Sequence, residues 1–243
     1  MPTTAVEGAR RLAGALEDSL EAMPRGARPE AERALRRLQD LVLPRLEDAD
    51  APLLVVVGGS TGSGKSTLVN SLLDRTVSRS GAVRPTTRRP VLVCSPAARA
   101  WFMSDRVLPR LAKHEGGTGT SLDAVTVAVD DMMWPSIGTL DAPDIDSVEA
   151  SHAQVAGRLA TRVDALVVVV NPQKYADARL HDEWLERLRT SHASVTVALT
   201  HIDTLGVAER TSIVSDLRRI LDERGLTGAR VVPVSATTGE GVA

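Results

Sequence analysis

Residues 53 to 66 read Leu53-Leu54-Val55-Val56-Val57-Gly58-Gly59-Ser60-Thr61-Gly62-Ser63-Gly64-Lys65-Ser66, a short apolar run followed by a glycine-rich loop. The apolar run predicts a buried strand, and the pattern of residues 67–73 after the loop predicts a helix. Glycines let the backbone curl so that successive N–H groups face an anion, and the start of the helix adds its positive dipole. A plain turn rich in Gly and Ser is the alternative. Because the loop lies between strand and helix, where phosphate binding needs it, we expect it to bind a nucleoside triphosphate.

The residues of this loop have separate expected roles. Lys65 reaches the β- and γ-phosphates and is the expected catalytic residue of the loop, while the Ser66 hydroxyl completes the shell of a Mg²⁺ ion. The residues expected to contact the nucleotide here are Gly59, Ser60, Thr61, Gly62, Ser63, Gly64, Lys65, Ser66 and Thr67.

Length and composition fit a domain with a full apolar core. The chain has 243 residues, of which 43% are apolar, and a net charge of −2. That charge argues against general attraction to nucleic acid or to an anionic membrane. Cys94 is the one cysteine and cannot form an internal disulfide, and the apolar runs are too short for a membrane span or a signal peptide. We therefore expect a cytoplasmic protein.

Alternating helical and strand-like segments predict an α/β fold. Residues 4–22 and 29–48 carry apolar side chains at helical spacing on either side of Pro24-Arg25-Gly26, which predicts a helical hairpin over residues 1–50. Near-continuous valine runs are typical of strands covered on both faces, so residues 51–243 are expected to form a doubly wound, mostly parallel sheet with its helices. A surface loop is expected at 115–120. The expected strands are 53–58, 90–95, 124–129, 137–140, 164–170, 194–200 and 230–234.

Four further short motifs follow the phosphate loop. They read Thr86-Thr87-Arg88-Arg89-Pro90, Asp141-Ala142-Pro143-Asp144, Thr200-His201-Ile202-Asp203 and Ser235-Ala236-Thr237. In this order the chain resembles the translation-factor-related P-loop GTPases, whose Ras-like G domain carries five such motifs. The first and third of the four motifs resemble the corresponding motifs of dynamin-type GTPases, and residues 234–241 resemble the corresponding segment of the Era-type group. The second motif, combined with residues 171–177 (Asn171-Pro172-Gln173-Lys174-Tyr175-Ala176-Asp177), is also similar to a set of actinobacterial GTPases described as dynamin-like or ribosome-binding.

This resemblance implies GTP or GDP and Mg²⁺ as ligands. Thr87 would bring its hydroxyl to Mg²⁺ and its backbone N–H to the γ-phosphate, with Thr86 as the alternative. Asp141 would hold the ion through a bound water, although a helix cap or loop acid is the other interpretation of this residue. The catalytic residues are therefore expected to be Lys65 and Thr87, and the metal ligands Ser66, Thr87 and Asp141.

The third and fourth motifs are expected to select the base. Asp203 would accept two hydrogen bonds from the ring N–H and the exocyclic amine of guanine, a contact that adenine cannot return. Thr200 stands where the family usually has Asn, and His201 where it usually has Lys. The imidazole of His201 either stacks on the base or is simply solvated. The residues expected to support the base edge are Ser235, Ala236 and Thr237.

Two departures from the family pattern bear on hydrolysis. Ile145 stands where Ras-like enzymes have the Gln that positions water, and Asp144 stands where nearly all relatives have Gly. We therefore expect a Mg²⁺-dependent, slowly hydrolysing GTPase switch. The alternatives are a dynamin-like mechanochemical GTPase that acts at membranes and a nucleotide-binding module with little hydrolysis.

The expected partners are guanine nucleotide, a second copy of the chain across the nucleotide site, and a membrane or ribosome reached through regions outside this chain. The same regions would allow membrane association of the full-length protein. Residue 243 falls where this fold normally begins its last helix, so the domain is expected to be truncated.

Overall fold

A computed structural model of the protein describes residues 2–48, 50–76, 90–108, 111–116, 124–131, 133–142, 163–175 and 194–242. Helix α1 (Pro2–Ser19) packs against α2 (Arg28–Arg37) and α3 (Leu43–Glu47), and the turns between α1 and α2 lie where the Pro and Gly residues predict them. The Arg28 guanidinium donates to the carbonyls of Leu20 and Glu21, 3.0 Å away in each case, at the end of α1. A cation at this position satisfies carbonyls that the helix itself leaves without a partner.

A π-helical stretch, Leu38–Val42, joins α2 to α3, so the predicted helix over residues 29–48 is almost continuous. Pro44 accounts for the change of pitch. A proline inside an α-helix lacks the N–H that the ladder needs, and its ring collides with the carbonyl four residues earlier. In the wider turn the Leu43 N–H bonds to the Leu38 carbonyl, five residues back, and the helix continues past the proline.

Eight strands form one sheet in the order β3-β4-β2-β5-β1-β6-β7-β8. Of the strand pairs described, β2 with β5 is antiparallel and the others are parallel, which confirms the mostly parallel sheet. Every predicted strand is present, with each end within one residue of its expected place. The strands are β1 (Leu53–Gly59), β2 (Val91–Cys94), β3 (Ala112–Glu115), β4 (Ala124–Val129), β5 (Ile137–Asp141), β6 (Ala165–Val170), β7 (Ser194–Leu199) and β8 (Arg230–Pro233).

Strand β3 was not predicted, and the surface loop expected at 115–120 was wrong at its first residue. Glu115 closes β3 and pairs with Val127 of β4. The strand lies at the edge of the sheet and is mostly exposed, so its sequence needs neither an apolar face nor strong β propensity. Residues 117–123 lie outside the described part of the chain.

Helices cover both faces of the sheet, as a doubly wound fold requires. Helix α4 (Lys65–Leu73) packs on one face, while α5 (Arg99–Met103) and α6 (Val207–Glu223) pack on the other. Alternation along β1 matches this arrangement. Leu54 and Val56 belong to the apolar cluster on the face covered by α5 and α6, whereas Val57 belongs to the cluster under α4. Within the described ranges, none of the helices combines the length and the apolar character that a membrane crossing needs.

Arg45 of α3 joins the N-terminal helices to the sheet. Its guanidinium donates to the carbonyls of Ala51, at 3.0 Å, and Pro52, at 2.8 Å, and forms an ion pair with Asp164. The same Asp164 carboxylate accepts the N–H of Leu54 at 2.7 Å. This cluster lies at the beginning of β1 and β6, so the hairpin is attached at the end of the sheet opposite to the phosphate loop.

Candidate functional site

The predicted motifs meet at one edge of the sheet, where parallel strands reach their carboxyl ends. Strand β1 lies between β5 and β6 and leads directly into the phosphate loop. Asp141 is the last residue of β5, Thr200 follows β7, and Ser235 lies two residues beyond β8. Ligands of open α/β sheets bind outside this edge, because loops from several neighbouring strands converge there.

The phosphate loop has the backbone that its glycines predict. A Cβ at Gly59 would lie 2.3 Å from the Val169 carbonyl oxygen, so only glycine fits between β1 and β6 here. Gly64 has a φ of +92° and leads directly into α4, whose ladder starts with a 2.8 Å bond from the Leu68 N–H to the Gly64 carbonyl. Lys65 is the first residue of that helix, and its Nζ lies 3.2 Å from the Ser60 carbonyl oxygen. The helix start and the lysine are therefore both turned to the loop.

Side chains from the ends of β6 and β7 hold the next three carbonyls of the loop. Lys174 Nζ donates to the Thr61 carbonyl at 3.1 Å, and Asn171 Nδ2 to the Gly62 carbonyl at 3.2 Å. Thr200 Oγ1 lies 2.7 Å from the Ser63 carbonyl oxygen. Thr200 was a predicted site residue, whereas sequence reasoning gave Asn171 and Lys174 no role in the site. The sequence carried two signals here: an Asn-Pro pair directly after a buried strand, which predicts a turn, and the resemblance of residues 171–177 to actinobacterial GTPases.

Ser66 and Asp141 come together as a pair of oxygen donors. Ser66 Oγ donates to Asp141 Oδ2 at 2.8 Å, and both side chains are buried, Asp141 completely. A hydroxyl and a carboxylate beside a phosphate loop are the ligands that Mg²⁺ uses together with substrate phosphates. The two residues therefore fit the predicted metal site. Asp141 ends a strand within the sheet, which argues against the alternative of a helix cap.

The third motif, Thr200-His201-Ile202-Asp203, lies against the phosphate loop. His201 has a left-handed backbone with a φ of +56°, and its Cε1 would lie 3.4 Å from a Cβ at Gly64. The ring nitrogen Nδ1 lies 3.0 Å from Thr200 Oγ1. The imidazole is exposed and lies beside the loop, a position from which it could reach a bound base.

Asp203 and Ser235 join the third and fourth motifs, which were predicted to select the base. Ser235 is completely buried, and its Oγ donates to Asp203 Oδ1 at 2.7 Å. This hydrogen bond is the largest cause that lowers the pKa of the Asp203 carboxyl below its usual range. A carboxylate that stays ionised at neutral pH can accept two hydrogen bonds, as guanine recognition requires. If Asp203 reads the base as predicted, guanine binding should persist as the pH falls towards that lowered pKa.

The remaining predicted base-edge residues follow Ser235. The Ala236 carbonyl lies 3.4 Å from Ser71 Oγ of α4, which ties this segment to the phosphate-loop helix. Thr237 and Thr67 are both exposed near the same edge.

Several predicted site residues lie outside the described part of the chain. They are Thr86, Thr87, Arg88 and Arg89 in the first of the four short motifs, and Asp144 and Ile145 shortly after Asp141. Their roles stay predictions.

Ser63 offers a test of local energetics within the loop. Its hydroxyl is completely buried and, among the residues described, has no hydrogen-bond partner. An unsatisfied buried hydroxyl costs free energy, so Ser63→Ala should raise the free energy of unfolding by about 1 kcal/mol in chemical denaturation. Ser235→Ala is the matched control, because that equally buried hydroxyl does have a partner and its loss should lower stability. A loss of stability in both variants would contradict this prediction.

No protein-family model matches the sequence, and no curated protein does so either. Solved structures do match. Era in complex with MgGDPNP and a segment of 16S ribosomal RNA is 21% identical, with a TM-score of 0.53 over 78% of this chain and 52% of the Era chain. Era from Aquifex aeolicus bound to GDP and aluminium fluoride is 20% identical, with a TM-score of 0.52 over 78% of this chain and 52% of that one. The fold is that of a P-loop GTPase domain.

A bacterial dynamin matches more of the chain. The structure comes from an oligomerised dynamin pair for which sensing and tethering of membranes is described, and it is 15% identical with a TM-score of 0.56. The match covers 97% of this chain and 39% of the dynamin chain. The unmatched part of this chain is far shorter than the N-terminal hairpin, so the match includes N-terminal helices as well as the sheet. This chain spans about half of the Era chain, 52%, and less of the dynamin chain.

Proposed function

We propose that this chain is a Mg²⁺-dependent GTP-binding domain that hydrolyses GTP slowly and works as a switch. The contact between Thr200 and the phosphate loop carries this proposal, because it fixes the residues that lead to Asp203 directly to the loop. Thr200 is 3% exposed, so the 2.7 Å contact with the Ser63 carbonyl lies in the interior and not on a mobile surface. A single rigid unit would then bind the phosphates and read the base.

The residues divide the chemistry among them. Lys65 would bind the β- and γ-phosphates, and Ser66 with Asp141 would hold the Mg²⁺ ion, which neutralises the charge that develops on the transferred phosphoryl group. Asp203 would select guanine, with Ser235 keeping its carboxylate oriented and ionised. With Ile145 in place of the water-positioning Gln, the attacking water would lack its usual partner, which supports a slow rate.

Phosphate release under single-turnover conditions tests this function. We expect GTP hydrolysis at roughly 10⁻⁴ to 10⁻² s⁻¹, the range of intrinsic GTPase rates, and its loss when EDTA removes Mg²⁺. Asp141→Asn keeps the shape of the side chain and removes its charge, so it should show the same loss in buffer that contains Mg²⁺. Hydrolysis that ignores both EDTA and this substitution would contradict the proposed metal site. Binding without any turnover would favour the nucleotide-binding module instead.

A dynamin-like, self-associating GTPase is the second candidate, and the match of the bacterial dynamin to the N-terminal helices as well as the G domain favours it. In that case two copies would meet across the nucleotide. Turnover per molecule should then rise with protein concentration, whereas a switch that acts alone should show constant specific activity. A membrane or a ribosome as partner would have to be reached through parts of a longer protein and is proposed only in that context.

A further inference from the structure

We propose that Asn171 and Lys174 are positioning residues that hold the phosphate loop in its nucleotide-binding shape before any nucleotide arrives. Both lie in the turn that follows β6, a segment to which none of the expected site residues belongs. The inference deepens the proposed function and rests on it for its effect on nucleotide. The shape of the loop itself is a property of the protein alone.

The carbonyl side of the loop is held at every residue from 60 to 63. Lys65 Nζ lies 3.2 Å from the first of these carbonyl oxygens, and Lys174 Nζ lies 3.1 Å from the second. Asn171 Nδ2 is 3.2 Å from the third, and Thr200 Oγ1 is 2.7 Å from the fourth. The turn from 171 to 174 therefore supplies two adjacent contacts out of the four.

Holding a carbonyl also orients an N–H group. A peptide unit is planar and trans, so the carbonyl of one residue points away from the N–H of the next. Lys174 on the Thr61 carbonyl therefore directs the Gly62 N–H to the opposite side, and Thr200 on the Ser63 carbonyl does the same for Gly64. A phosphate loop binds its anion through N–H groups that converge in this way. Asn171 fixes the peptide between Gly62 and Ser63, whose N–H closes a turn onto the Ser60 carbonyl at 3.1 Å.

Asn171 uses both ends of its side-chain amide. Its Oδ1 accepts the backbone N–H of Lys174 at 2.8 Å, while its Nδ2 donates to the Gly62 carbonyl. The same Lys174 N–H lies 3.1 Å from the Asn171 carbonyl, so these two residues close the turn. At 9% exposure, Asn171 is nearly buried. The amide thus joins the turn to the loop, and its two functions can be separated by substitution.

Lys174 adds a charge to this contact. A hydrogen bond from an ammonium group to a carbonyl is stronger than one between neutral groups, particularly where the side chain is partly buried, as here. The chain contains three lysines, and two of them, Lys65 and Lys174, donate to neighbouring carbonyls of this loop. The third, Lys113, donates to the Ser104 carbonyl at 2.6 Å, away from the site.

Variants of the full chain can isolate each contact. Asn171→Asp keeps the oxygen that accepts the Lys174 N–H but places a carboxylate oxygen against the Gly62 carbonyl. Lys174→Met keeps an apolar stem without the donor, and Lys174→Arg restores a charged donor. Gln173→Ala is the matched control, because this exposed residue belongs to the same turn. Two readouts are needed: hydrogen exchange of peptides that cover residues 59–67 in nucleotide-free protein, and the dissociation rate of a fluorescent GDP derivative.

We expect Asn171→Asp and Lys174→Met to speed both loop exchange and GDP dissociation about tenfold, as the loss of one charge-assisted or buried hydrogen bond implies. Lys174→Arg should stay within about twofold of the natural protein, and Gln173→Ala should match it. Exchange in α6 and the preference for GTP over ATP should not change, because neither the core nor Asp203 is touched. A merely structural role would instead raise exchange throughout the domain.

Unchanged loop exchange in both disruptive variants would overturn the proposal, and so would an equal rise of exchange in α6. If the natural protein binds no GDP, the proposed function fails on its own. Hydrogen exchange in nucleotide-free protein then still decides whether Asn171 and Lys174 hold the loop.

Discussion

Lys65→Ala is expected to abolish GTP binding, with a loss of affinity on the order of a thousandfold, in a domain that stays folded. The ammonium group of Lys65 lies beside the loop carbonyl of Ser60 and, as the first residue of α4, is placed at the point where the phosphates would lie. Its charge-assisted contacts with two phosphates are worth several kcal/mol in binding. The folded domain loses one bond to a loop carbonyl, which is a small part of its stability.

Isothermal titration of GTP into the variant, together with its circular dichroism spectrum and melting curve, checks this expectation. Lys113→Ala is the matched control, since it removes the same charge from a lysine that bonds to the Ser104 carbonyl. Undiminished GTP affinity in a folded Lys65→Ala protein would refute the role of the loop in phosphate binding.

Asp203→Asn is expected to change the preferred base from guanine to xanthine. In the proposed site the natural carboxylate would accept from two donors of guanine, whereas the amide would offer a donor where xanthine carries an oxygen. The Ser235 hydroxyl, 2.7 Å from Asp203 Oδ1, can still donate to the amide oxygen and keep the side chain in place. We expect GTP affinity to fall about a hundredfold and xanthosine triphosphate to become the tighter ligand.

Competition of GTP and xanthosine triphosphate against a fluorescent GDP derivative measures this change in base preference. Asp222→Asn removes the same charge from an exposed residue of α6 and should leave the preference for guanine unchanged. A variant that weakens both nucleotides equally would show that Asp203 supports the site without reading the base.

The sequence predicted the parts of the site that depend on local pattern. The valine run of β1, the glycines of the loop and the helix that follows are read from spacing and residue type alone, and all are confirmed. The placement of Thr200 and Ser235 within two residues of strand ends also followed from pattern, because the ends of parallel strands share one edge of the sheet. The structure then adds what they contact.

Contacts between distant segments could not be predicted in the same way. Asn171 and Lys174 meet the loop across 109 and 113 residues of sequence, and neither residue type has a fixed spacing from a phosphate loop. Strand β3 was not predicted because an exposed edge strand needs no apolar pattern. The π-helical stretch before Pro44 was also missed, because apolar spacing predicts a helix over residues 29–48 without showing the change of pitch at the proline.

The central claim is that this chain binds guanine nucleotide through its loop, its Mg²⁺ ligands and Asp203. Calorimetric titration of the natural protein with GTP, GDP and ATP, each with Mg²⁺ and with EDTA, tests it most directly. We expect GTP and GDP to bind, ATP to bind at least about a hundredfold more weakly, and EDTA to weaken GTP. Equal affinity for ATP and GTP in the presence of Mg²⁺ would contradict the claim.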